Sequence, residues 1–140
     1  MANPGPASTV TIHPQNVLSN QAIRLLAVAT GVNVNSTGDV AVLNIANASN
    51  WSVANVVFTN ASISLTTAAA GVFTAPGASG AIVSNAALSA LTGPTVVSQR
   101  TVASTATNTG QYLYINVGTA QGAAATMDVY IYGYDFATYG

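Results

Sequence analysis

Acid–base chemistry has few groups to work with in this chain. Its ionic side chains are Arg24, Arg100, Asp39, Asp128 and Asp135, with His13 as the sole imidazole and no Lys, Glu or Cys among 140 residues. General acid–base catalysis needs a positioned pair whose pKa values are pushed apart. Asp128 and Asp135 stand seven residues apart on one expected strand, an odd separation that sends them to opposite faces. A nucleophile triad through His13 would need a serine and a carboxylate brought from elsewhere in the fold. Beside Pro14, His13 reads instead as a surface or interface residue, whose ordinary pKa of about 6.5 could tune assembly. Zinc wants about three or four Cys, His or carboxylate ligands together, and no such cluster exists in the sequence. Asp39 with backbone carbonyls could hold Ca2+, but Asn35-Ser36-Thr37-Gly38-Asp39 is first of all a turn. No strand runs into a glycine turn followed by a helix, so nucleotide phosphates have no cradle. The expectation is a protein that is not an enzyme, with no catalytic residue, no cofactor and no metal.

Arg24 and Arg100 each stand in a neutral strand, where an arginine faces solvent, pairs with an aspartate or anchors an interface. The tyrosines are more specific. Period-two alternation puts Leu113, Ile115 and Val117 on one face of a strand and Met127, Val129 and Ile131 on the matching face of its partner, and these six are expected core. The opposite face then carries Tyr112, Tyr114, Tyr130, Tyr132 and Tyr134. Such a face has three uses. It can pack against a second layer of the same domain, which would require partners for the hydroxyls. It can form a protein interface, because tyrosine gives large contact area at small entropic cost. It can also stack on sugars.

The elements that must position these residues are short strands, since β-branched and aromatic residues alternate with small polar ones between Gly, Pro and Asn. Strands are expected near Ser8–Ile12, Ala22–Val28, Asp39–Ile45, Trp51–Asn60, Ser62–Thr67, Gly80–Val83, Thr95–Ala103, Gln111–Val117 and Thr126–Tyr134. Two hairpins stand out. Val72-Phe73-Thr74 and Ala81-Ile82-Val83 flank Pro76-Gly77-Ala78-Ser79-Gly80, where Pro fixes φ and Gly supplies the reversal. Gln111–Val117 and Thr126–Tyr134 flank a small-residue loop through Gly118 and Gly122. Asn85–Leu91 is the single helical candidate, with Asn85 as cap and Gly93-Pro94 as stop. In Trp51–Asn60, Trp51, Val53 and Val57 alternate with Ala54, Val56 and Phe58, so both faces are apolar and the strand belongs mid-sheet. Together these features predict an all-β fold, a two-sheet sandwich or jelly roll of short antiparallel strands with at most one short helix. A β-barrel is the alternative. The expected organisation is an extended, Pro-rich arm over residues 1–18 and a single β domain over 19–140.

Charged residues form 4% of the chain, against about 25% in an average soluble domain. Two arginines cannot build the phosphate-neutralising footprint of non-specific nucleic-acid binding, nor a polybasic patch for anionic lipid. No apolar run of about 18 residues exists to span a bilayer. The start, Met1-Ala2-Asn3-Pro4-Gly5-Pro6, has neither a basic nor an apolar signal region, so nothing there directs export. Half of the residues are hydrophobic and the polar remainder is mostly Ser, Thr, Asn and Gly. A hydroxyl and amide surface packs on neighbours without the cost of burying charge, which suits permanent assembly.

Four stretches point further: Phe58-Thr59-Asn60-Ala61-Ser62-Ile63-Ser64-Leu65, Gly71-Val72-Phe73-Thr74-Ala75-Pro76, Ala87-Leu88-Ser89-Ala90-Leu91-Thr92, and Val117-Gly118-Thr119-Ala120-Gln121-Gly122 leading into Asp128-Val129-Tyr130-Ile131-Tyr132-Gly133. From Phe58 onward the chain resembles the small structural proteins encoded beside the major capsid gene of tailed bacteriophages, the capsid decoration or cement proteins. The motifs are compositional and topological, and the first fifty residues carry none of the resemblance. What it implies is a β-rich subunit, made in the bacterial host cytoplasm, that docks on the outer capsid surface of the virion. Its partner would be the major capsid protein, whose neighbouring subunits it clamps. Self-association is expected, as a trimer by analogy with proteins seated on local three-fold axes. The candidate contacts are the arm, with Pro4 and Pro6, and the tyrosines at 112, 114, 130, 132 and 134. The alternative is a receptor- or glycan-binding module of a fibre or adhesin, with Trp51 or the tyrosines as stacking platforms.

Overall fold

Alternation of β-branched and small residues between glycine- and asparagine-rich breaks produces eight strands: β1 (Arg24–Asn33), β2 (Gly38–Asn44), β3 (Trp51–Thr59), β4 (Ala69–Ala75), β5 (Ser79–Ala87), β6 (Val97–Arg100), β7 (Tyr112–Thr119) and β8 (Thr126–Asp135). The computed structural model describes residues 23–45, 48 and 50–136, and the expected arm with Pro4 and Pro6, the strand at Ser8–Ile12 and His13 lie outside them.

All strand pairs are antiparallel, and the chain folds back on itself at the β4–β5 turn. From there the pairs β4 with β5, β3 with β6, β2 with β7 and β1 with β8 run outward like the rungs of one long ribbon. Rolling that ribbon adds the contacts of β8 with β3 and of β7 with β4. The result is two four-stranded sheets, sheet A in the order β1-β8-β3-β6 and sheet B in the order β2-β7-β4-β5. This is the connectivity of a jelly roll, a two-sheet sandwich and not a closed barrel.

The core lies between the sheets. Leu113, Ile115 and Val117 from β7 and Met127, Val129 and Ile131 from β8 are all buried there, as their alternation requires. β3 is an interior strand of sheet A. Its alternation does not run unbroken, because a register shift between Val53 and Asn55 inserts one residue. Trp51, Val53, Val56 and Phe58 are therefore all buried in the core, where simple alternation would have parted Trp51 and Val53 from Val56 and Phe58. Gly133 makes this packing possible, since a Cβ there would overlap the Ser52 carbonyl oxygen.

Three expectations are corrected. Residues 62–67 form bends and not a strand, because the Gln121 side chain accepts the amides of Thr67 and Ala68 at 3.1 and 3.0 Å in place of a strand neighbour. Among the described residues there is no helix: Asn85–Ala87 continue β5, and Leu88 and Leu91 are buried in a turn. Leu91 N closes the turn on Leu88 O, while Leu88 N donates across to Ala68 O and Leu65 N to Leu91 O. Finally, β7 and β8 form no hairpin, since β7 lies in sheet B and β8 in sheet A. The connecting loop is drawn to the end of the sandwich, where Gln121 N donates to Val34 O and Gly122 N to Asn35 Oδ1. The β4–β5 hairpin, by contrast, forms around Pro76–Gly80 as expected, with Gly77 and Gly80 at positive φ.

Candidate functional site

Each aspartate is engaged in holding the fold. Asp39, on β2, accepts the Asn116 side-chain amide at 2.9 Å and the backbone N–H of Gly77 at 2.8 Å. Those two bonds, Asn116 first, hold its carboxyl below the ordinary range against a small opposing effect of burial. Asn116 in turn accepts from Asn85 at 3.0 Å, so a polar line crosses the outer side of sheet B from β2 to β5. Asp128 accepts from Gly31 N at 2.8 Å and from Asn60 Nδ2 at 2.9 Å, joining the irregular stretch of β1 to the residue after β3, both at positive φ. Asp135 is buried and pairs with Arg24 at 3.1 Å. Asp128 and Asp135 do lie on opposite faces of β8, with Asp135 towards the core. Among the described residues no group of three or more His, Cys, Asp or Glu is gathered as a metal site.

Trp51 is fully buried, its indole N–H donating to Gly110 O at 2.8 Å, so it offers no stacking platform. The five tyrosines are exposed to different extents but do not share one face. Because β7 and β8 sit in different sheets, Tyr112 and Tyr114 lie on the outer side of sheet B, beside Asn44 and Val42, while Tyr130, Tyr132 and Tyr134 lie on the outer side of sheet A.

The sheet A group is the more extensive. Tyr132 stands in register between Leu25 of β1 and Asn55 of β3, and Tyr130 between Val28 and Val57. Tyr134 stacks on Phe136, their ring centroids 6.2 Å apart. Leu25, Val28 and Phe136 are 41%, 45% and 39% exposed, high values for large apolar side chains. None of these tyrosine hydroxyls bonds to another described residue, and none is buried without a partner. The rings are thus half-buried on the outer side of the sheet with their hydroxyls open to solvent. Chemically, the face offers apolar area, aromatic edges and hydroxyl donors and acceptors, with Asp128 on the same side of β8 bonded to Gly31 and Asn60.

Leu25, Val28 and Phe136 are contributors that sequence reasoning passed over. The sequence does hold a signal for the first, since Leu25 and Leu26 adjoin in a strand and cannot both face inward; Val28 joins the same face only through the register shift between Leu25 and Ala27.

Comparison with protein-family models, with curated proteins and with solved structures finds no match to this chain.

Proposed function

We propose that the protein is a non-enzymatic structural subunit of a bacteriophage virion, a decoration protein that binds the outside of the capsid and stabilises contacts between major capsid protein subunits. The observation that carries this reading is the outer side of sheet A, where Leu25, Val28, Tyr130, Tyr132, Tyr134 and Phe136 form an aromatic and aliphatic surface exposed on a rigid sheet. Tyrosine-rich, charge-poor surfaces of this kind are what protein interfaces select, because they bring large area with few rotatable bonds and little charge to desolvate. The sequence resemblance supplies the phage capsid as partner, and the jelly roll is an architecture that virion proteins use, which is support by analogy of fold. Attachment at many equivalent sites lets modest single contacts hold a full complement of subunits. The burial of Trp51 weakens the glycan-binding alternative, which loses its strongest stacking residue.

The test is co-sedimentation with capsids of the encoding phage that lack the protein. Wild-type protein should pellet with the capsids in near-stoichiometric amount, and Tyr132→Ala should pellet far less. Failure of the wild type to bind, or its binding to a glycan array in preference, would reject the reading.

A further inference from the structure

The open side of the sandwich between β5 and β6 holds a second surface, distinct from the tyrosine face. β5 is the outer strand of sheet B and β6 the outer strand of sheet A, so both leave backbone groups outside any ladder. Two hydrogen bonds bridge the gap, Ala103 N to Ile82 O at 2.7 Å and Arg100 Nη1 to Ala87 O at 3.0 Å. Between them opens a cleft of about 410 Å3, with Val83, Ser84, Ala86, Gln99 and Thr101 around Arg100.

Arg100 is the unusual member. Its guanidinium lies over the Phe58 ring, 5.5 Å from the centroid, and burial pushes its pKa down from the ordinary range. It has five N–H donors in a planar fork, and the partner it reaches, Ala87 O, is neutral. Among the described residues every carboxylate is bound elsewhere: Asp39 to Asn116 and Gly77, Asp128 to Gly31 and Asn60, Asp135 to Arg24. A half-buried cation carries a desolvation cost that an arriving carboxylate offsets, through short, paired, charge-assisted bonds. The rest of the cleft selects the kind of molecule that brings it. A lone arginine does not suit a polyanion, which needs many cations. A strand edge with hydroxyl and amide side chains suits an extended polypeptide, which can lie along the edge and add to the sheet.

We infer that the β5–β6 cleft is a docking site for an extended segment of a partner protein bearing an Asp or Glu, its carboxylate on the free side of the Arg100 fork and its backbone along β5. The site does not rest on the tyrosine face, because Arg100 lies over Phe58 between the sheets while those tyrosines point outward. The peptide acetyl-Thr-Val-Glu-Val-Thr-amide, titrated to about 5 mM into 15N-labelled protein, tests it by NMR. Shifts are expected at the amides of Ser84, Ala86, Thr101 and Ala103 and at the Arg100 side-chain N–H, with the Gln version of the peptide binding about tenfold more weakly. Arg100→Gln should erase the difference between the two peptides. Ala86→Glu, which places a carboxylate in the cleft without removing Arg100, should block the peptide and raise the melting temperature. No shifts at the cleft, equal binding of the Glu and Gln peptides to wild type, or a Glu preference surviving in Arg100→Gln would each overturn the inference.

Discussion

Asp39 ties two parts of the chain that only the folded state brings together, the edge strand β2 and the β4–β5 turn at Gly77. Its folded pKa is depressed, so its contribution to stability is present above the unfolded value of about 3.9 and is lost as pH falls through the folded value. Thermal melts from pH 6 to pH 2 should show Asp39→Asn less stable than wild type at the upper end, with the gap closing as the native carboxyl protonates. A gap that persists unchanged at pH 2 would show that the carboxylate charge is not what Gly77 and Asn116 recognise. Parity along a strand already told from the sequence that Asp128 and Asp135 part to opposite faces if the strand is unbroken, and β8 alternates without interruption. The partners of Asp39 could not be read that way. Asn116 and Gly77 meet it only through the pairing of β2 with β7 and the folding of a distant hairpin, and neither is encoded near residue 39.

The tyrosines show the same divide one level up. Within β7 and within β8 the alternation of core and outward residues was legible, and all six expected core residues are buried. That the two strands pair with each other was the natural reading of adjacent strands and a short glycine-containing loop, but it is wrong here. Gln121 binds the 64–68 loop through both ends of its amide and carries the connection across to the other sheet. The pairing of β7 with β2 and β4, and of β8 with β1 and β3, thus splits one imagined tyrosine face into two real ones. The same local blindness hid the bulge in β3 and made a helix of Asn85–Leu91, whose spacing of Leu88 and Leu91 suits a tight buried turn equally well. The split gives a sharp experiment. Tyr132→Ala removes a half-buried ring that makes no internal hydrogen bond, so the domain should lose only about 1 kcal/mol. As a central interface ring its loss should weaken capsid attachment by about 2 kcal/mol or more, roughly thirtyfold. Tyr112→Ala, on the outer side of sheet B, should bind like wild type. The reverse pattern in co-sedimentation would move the interface to sheet B, and unfolding of Tyr132→Ala would assign its ring a structural role.

The rolled ribbon explains how a chain with so few charges remains specific. Each strand is fixed by nested pairing and each sheet by an apolar inner face, so ionic pairs are needed only at isolated points such as Arg24 with Asp135. Composition and punctuation alone were enough to reach the sandwich and jelly-roll class, because they depend on strand length and period. The order of strands was not, because it depends on which distant segments meet. A charge-poor contact surface, as proposed for the outer side of sheet A, has a consequence for attachment. Raising ionic strength from 0.1 M to 1 M shortens the screening length from about 10 Å to about 3 Å but leaves apolar contact intact. The protein should therefore remain on capsids washed at 1 M NaCl, and release there, measured by sedimentation, would point to a charge-driven mode instead. The most direct measurement is a cryo-EM map of the virion proposed to carry this protein. The expected result is near-stoichiometric density for the jelly roll on the outer surface of the head, with Tyr130, Tyr132 and Tyr134 of sheet A pressed against the major capsid protein. A few copies confined to the tail, or head-bound subunits with the outer side of sheet A turned to solvent, would contradict it.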